Sequence, residues 1–333
     1  MTKKTILLFL MFSLCFLMGC GQGDAPSGQL ARSHTRDWLG ETTPGDIAAV
    51  FAQGLISTGN NERDFTATPD GKEIYYTCRT PDGLVILQIR RTEKGWTAPR
   101  VAPFSGQYSD LEATVSTDGK RLYFVSNRPV QPNREPKNDY DIWMLNRTAN
   151  GWSDPLHLGP NVNTEQNEFY PSVTRNGDLY FCGKHEGGLG GEDLWVCRAQ
   201  GDGFAPRENL GAPVNTPADE YNAFVHPDGA WIMLTSHGHG AGQGGGDLWV
   251  HFRLEDGHFG PAVNLGPAVN SERFEFCPSL SPCGRYLFFT SNRHQPRPEK
   301  WTAAGLNNYL SSAGNGNQDI FWIDAAFLER LHP

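Results

Sequence analysis

Five acidic residues recur in this chain at one fixed place, each eight positions before a turn residue followed by glycine. They are Glu62 before Asp70-Gly71, Asp110 before Asp118-Gly119, Glu168 before Asn176-Gly177, Glu220 before Asp228-Gly229 and Glu275 before Cys283-Gly284. Carboxylates gathered by a repeat could hold a cation such as calcium or a basic ligand group, because hard cations take oxygen donors and like charges raise the local potential. The other reading is architectural: each acid accepts hydrogen bonds from linker amides five residues upstream, around Ser57, Ser105, Asn163, Asn215 and Asn270. A residue present in every copy of a repeat is commonly part of how the repeat is built.

Other side chains with chemical potential are not in every copy. Arg79, Arg128 and Arg293 follow the second strand of three units and could grip an anion, or pair with the Asp that opens the third strand. Gly-rich stretches carry His185 in one unit, and His237 with His239 in the next. Imidazoles there would serve as metal ligands or a general base, or simply be solvated loop residues. Two insertions interrupt the repeat, Pro129 to Asn138 and Arg297 to Gln318, the second bearing Trp301 and Tyr309. An aromatic lid of that kind would suit a carbohydrate or peptide ligand.

The elements that must position these groups are strands. Head spacings of 48, 58, 52 and 55 residues are propeller-blade length. Each head is followed by an aromatic-rich run such as Leu122-Tyr123-Phe124, then by Asp-Ile/Leu-aromatic, as in Asp141-Ile142-Trp143. In the second unit the pattern predicts strands near Glu112–Ser116, Arg121–Ser126, Asp141–Asn146 and Trp152–Leu158. Asp-Gly between the first two is a hairpin signal, because glycine accepts positive φ. The last unit lacks a tail, whereas the segment from Val50 to Thr58 resembles one. The chain is therefore expected to be all-β, a propeller of five four-stranded blades closed by an N-terminal strand, with six blades as the alternative.

Ser126-Asn127-Arg128 with Asp141-Ile142-Trp143, and Ser291-Asn292-Arg293 with Asp319-Ile320-Phe321, resemble the WD40-like Pro-Asp-Gly repeat of TolB-type propellers and many bacterial lipoproteins. That resemblance implies a scaffold for protein contacts. The N-terminus agrees: Lys3 and Lys4, an apolar run from Ile6 to Met18, then Gly19-Cys20, resemble a lipoprotein signal with Cys20 as the lipidated residue. Residues 1–19 are then a signal peptide, 20–45 a tether and 46–333 one propeller domain. Membrane attachment would run through Cys20 only, at the outer membrane facing the periplasm or the cell surface. Losing Lys3 and Lys4 takes the net charge from −9 to −11, which argues against nucleic acid. Five further cysteines leave at least one thiol free, with a Cys182–Cys197 bridge open as a pairing. No cofactor is expected beyond calcium at the acids. The expected function is a non-catalytic scaffold for an envelope protein or for a carbohydrate or peptide ligand; the alternative is a polysaccharide lyase or hydrolase working from the top face.

Overall fold

The computed structural model describes residues 38–131 and 134–332. Four antiparallel strands, A to D from the axis outwards, make each blade. Blade 1 comprises Asn61–Ala67, Glu73–Thr80, Gly83–Thr92 and Arg100–Val101. Blade 2 comprises Asp110–Val115, Arg121–Ser126, Asp141–Thr148 and Leu156–His157. Blade 3 comprises Glu168–Val173, Leu179–Gly183, Asp193–Cys197 and Glu208–Asn209. Blade 4 comprises Glu220–Val225, Trp231–Ser236, Asp247–Arg253 and Phe259–Asn264. Blade 5 comprises Glu275–Leu280, Tyr286–Ser291, Asp319–Asp324 and, from the other end of the chain, Ala49–Val50. The A strands touch in the cyclic order 1-2-3-4-5-1, so the ring is closed with five blades.

Closure follows the register expected from the missing tail. Ala49 pairs with Trp322 and Val50 with Phe321, and the Phe51 amide donates to the Ile320 carbonyl at 2.8 Å. Phe51 is fully buried and packs on Phe65, Phe288 and Trp322, with ring centroids 5.0–5.5 Å away. Trp38 is buried against Phe65 and Phe288 as well. The N-terminal strand thus joins blades 5 and 1 with aromatic surface, worth roughly 1.5–3 kcal/mol for each ring fully removed from water.

Local rules account for the rest. In every A–B turn the glycine has positive φ, 65–94°, a region where Cβ would clash. Strand D is short, and a linker side chain finishes its pairing. Asn163 accepts from the Ile142 amide at 2.9 Å and donates to the Ile142 carbonyl at 3.0 Å. Asn215 does the same for Leu194, Asn270 for Leu248, and the Ser57 hydroxyl for Ile320. The linker residues expected to serve the head acids therefore serve strand C of the preceding blade. Cys182 and Cys197 are both free thiols, so the bridge left open above is not formed. They sit three positions apart in register, Cys182 opposite Leu194 and Cys197 opposite Leu179. The signal sequence and Cys20 lie outside the described residues. Among the described residues no helix is long and apolar enough to cross a membrane.

Candidate functional site

At the mouth of the propeller the head acids are buried and occupied. Glu62, Glu168 and Glu220 each accept from the amide and the hydroxyl of a threonine four residues upstream, Thr58, Thr164 and Thr216. Glu275 does the same with Ser271 and also takes the Ser291 hydroxyl. Asp110, one methylene shorter, takes the Gly106 amide and the Ser126 hydroxyl. Each carboxylate thus ties its own linker to its own blade, and no three of them form a group of metal-ligand span among the described residues. The partner lies four residues upstream rather than five, because the fifth faces the previous blade.

The arginines also differ from expectation. Arg128 donates to Asp110 at 2.8 Å, and Arg293 to Glu275 at 3.2 Å. They serve the acid that opens strand A, not the Asp that opens strand C. Arg79 is exposed. The strand C acids are instead wrapped by the B–C loops: Asp193 accepts from the amides of Leu189 and Gly190, and Asp247 from those of Gln243 and Gly244. Among the described residues Asp319 takes only the Gly314 amide, and burial pushes its carboxyl up to about 7.

Histidines have three separate settings. His185 occupies in blade 3 the place of Arg128 and Arg293, and Gly183 replaces the serine there; a Cβ on Gly183 would lie 2.7 Å from His185 Nε2. His185 is buried 3.5 Å from Glu168, edge-on to Trp195. Burial lowers its pKa to about 4 and raises that of Glu168 to about 7, so burial disfavours the charged form of each. His237 is exposed and meets the Tyr221 hydroxyl at 2.9 Å. His239 reaches a buried histidine of strand C, His251, at 3.2 Å.

The second insertion contains a helix, Ala303–Leu310, capped by Thr302 and bearing Tyr309 edge-on to an exposed Trp301. After the helix, Asn315 and Asn317 donate to the Gly59 carbonyl. The insertion thus seams blade 5 to the linker entering blade 1.

Two arrangements were not anticipated from the sequence. The first lies on the axis. Two residues after each head acid the chain bulges, and the bulged residue has φ of 49–60°. These residues are Asp64, Glu112, Tyr170, Asn222 and Cys277, all buried. Each non-glycine residue in this region costs roughly 1–2 kcal/mol, so the surrounding structure must hold it there. Arg63 supplies much of that hold. Its guanidinium donates to Asp64 at 2.8 Å, to Glu112 at 2.6 Å and to the Cys277 sulfur at 3.2 Å. Glu112 also accepts from the Tyr170 amide and the Asn222 side chain, and the Tyr170 hydroxyl reaches Pro278. All five blades therefore meet in one polar network. Asp64, Glu112 and Cys277 lie within metal-ligand span, but the guanidinium already takes the place of a cation among them. Burial pushes the Glu112 carboxyl up to about 8, against the pull of Arg63.

The second arrangement is a cleft of about 400 Å³ between blades 1 and 2. Phe104, Tyr108 and Trp152 give it aromatic walls, and Glu73, Gln88, Arg90 and Arg128 give it polar ones. The Tyr75 hydroxyl donates to Glu73 and accepts from Gln88 Nε2 and Trp152 Nε1, each at 2.7–2.8 Å. That chain orients the Gln88 amide, whose buried Oε1 has no partner among the described residues. Arg90 and Arg147 hold Glu73 at 3.0 and 2.7 Å. Sequence reading passed over this cleft because Trp152 belongs to the repeated tail; the pairing of Tyr75 with Gln88, polar groups in otherwise apolar strands, was the available signal.

No protein-family model and no curated protein matches the chain. Among solved structures it is similar to TolB from Acinetobacter baumannii, at 14% identity and TM-score 0.45, over 78% of this chain and 54% of that one. A putative TolB from Agrobacterium tumefaciens gives 15% and 0.47, over 79% and 90%. An alpha-L-arabinofuranosidase from Lactobacillus brevis gives 11% and 0.45, over 80% and 91%. The chain spans about half the length of the Acinetobacter protein. All three likenesses are distant, and the propeller rests on the closed ring of five blades itself.

Proposed function

We propose that this protein is a non-catalytic binding propeller, tethered in the bacterial envelope, whose site is the cleft between blades 1 and 2 rather than the acid-bearing mouth. The observation that carries this reading is a ligand-sized cleft with three aromatic walls, Phe104, Tyr108 and Trp152, and polar side chains from Glu73, Gln88, Arg90 and Arg128. Aromatic faces with a few fixed polar groups suit a carbohydrate. Catalysis there finds less support, since Glu73 already engages two guanidinium groups and the Tyr75 hydroxyl.

The test is titration calorimetry against envelope oligosaccharides, with product analysis of the same mixtures. Binding without cleavage, weakened at least tenfold by Trp152→Ala and by Gln88→Leu, is the expected result. Cleavage of the saccharide would support the enzyme reading. Binding unaffected by both substitutions would move the site away from the cleft.

A further inference from the structure

The structure assigns a second site that the binding cleft does not use: we propose that His239 and His251 form a two-histidine site for a borderline divalent transition metal such as Zn²⁺, with its remaining positions open to solvent. His251 lies in the middle of strand C of blade 4 and is fully buried; His239 is on the Gly-rich loop above it. The Nδ1 of His251 is 2.8 Å from the Gly260 carbonyl oxygen. A carbonyl can only accept, so this nitrogen carries the proton and the neutral ring presents the Nε2 lone pair. That lone pair faces Nε2 of His239 at 3.2 Å. Anchoring one imidazole nitrogen on a backbone carbonyl while the other faces a shared point is how metal-ligating histidines are oriented.

The distances fit a shared ion. Two nitrogens bound to one tetrahedral metal at ~2.05 Å are ~3.3 Å apart. A head-on N–H···N bond, with each ring centroid ~1.1 Å behind its nitrogen, would place the centroids ~5.5 Å apart. They are 4.8 Å apart, with the rings inclined at 67°, so the nitrogen axes are bent away from the line joining them. Burial lowers the pKa of both imidazoles, His251 to about 4, so a protonated ring is an unfavourable occupant of the gap.

Glycines fix the loop that brings His239 in. A Cβ on Gly238 would fall 2.0 Å from the Thr216 hydroxyl, and one on Gly242 within 3.1 Å of all three carboxyl atoms of Asp247. The loop therefore seats closely on the blade, with the imidazole edge-on to Trp249 at 5.8 Å. Neutral imidazoles favour zinc, copper, nickel or cobalt over calcium or magnesium.

The experiment is calorimetric titration of Zn²⁺ into the full chain purified without a histidine tag, repeated with His239→Ala, His251→Gln and His237→Ala. One equivalent should bind, with affinity lost at least tenfold in the first two variants and unchanged in the third, whose imidazole contacts Tyr221 instead. His239 is only partly buried, so its alanine variant is expected to fold even where His251→Gln does not. Zn²⁺ should also raise the melting temperature of the wild type but not of His239→Ala. Absence of Zn²⁺ binding, or binding indifferent to His239→Ala, would overturn the proposal and leave an ordinary imidazole–imidazole hydrogen bond.

Discussion

Replacing Glu275 by alanine separates the architectural role of the head acids from a binding role. Its carboxylate is fully buried and accepts from the Ser271 amide at 2.8 Å, the hydroxyls of Ser271 and Ser291 at 2.7 Å each, and Arg293 Nε at 3.2 Å. Alanine removes every one of these acceptors and leaves a largely buried guanidinium without its carboxylate. Breaking such a pair costs ~3–5 kcal/mol. An ordered ring of ~295 residues, at ~2.1 cal/mol/K each, has an unfolding entropy of ~0.6 kcal/mol/K, so Tm should drop by ~5–8 °C. The assay is thermal unfolding followed by circular dichroism, with Ca²⁺ titrated into both proteins by calorimetry. The expected result is a lower Tm with no change in Ca²⁺ response. A Tm within ~1 °C of wild type, together with loss of Ca²⁺ binding seen in the wild type, would refute the architectural role and restore the acids as a cation site.

Three further outcomes follow from the same structure. Phe51→Ala should cost ~3–5 kcal/mol, because it empties the aromatic seam between blades 5 and 1; denaturant unfolding measures it, and a loss below ~1 kcal/mol would mean the N-terminal strand does not close the ring. Asn215→Ala should cost ~2–4 kcal/mol by stranding both backbone groups of the buried Leu194, whereas a neutral result would show that water replaces the side chain. Glu168 and Asp319, raised by burial to about 7, and Glu112, raised to about 8, hold protons in the folded state that the unfolded chain releases near pH 4. Their contribution is complete below that range and is lost as pH rises through 7–8, while the buried imidazoles of His185 and His251 act in the opposite sense through the ordinary imidazole range; the Tm of the wild type minus that of Glu168→Gln should therefore fall between pH 5 and pH 8, and a rising difference would contradict the sign.

Much of the ring was legible because a repeat states its strands five times over. The Asp-Gly turns, the aromatic B strands and the borrowed tail at Val50 each had a local physical reason, and the register Ala49 to Trp322 follows from them. The site was less legible because its parts come from different blades. Nothing in the neighbourhood of Gln88 tells that Trp152 will share its tyrosine, and nothing beside His239 points to His251, whose place in strand C reads as core. The arginines were misassigned for a similar reason: Arg128 stands near both Asp110 and Asp141 in the pattern, and only the direction of the chain leaving strand B selects the first.

The axis shows why difference between copies is not in itself a sign of a ligand. Five equivalent bulges must place their side chains within a few ångströms of one another. Five identical acids there would repel at short range in a medium of low dielectric, and five identical arginines would do the same. The chain instead supplies one guanidinium from Arg63, the carboxyl groups of Asp64 and Glu112, a phenol, an amide and a thiol, which bond to one another although Asp64 Oδ2 has no partner among the described residues. Closing a ring of near-identical blades thus requires the axial position to vary. The flank between blades 1 and 2 is under no such requirement, and neither is the edge of blade 4. Three aromatic side chains walling a cleft between blades 1 and 2, and a lone pair at His251 facing a second imidazole, are differences that ring closure does not explain.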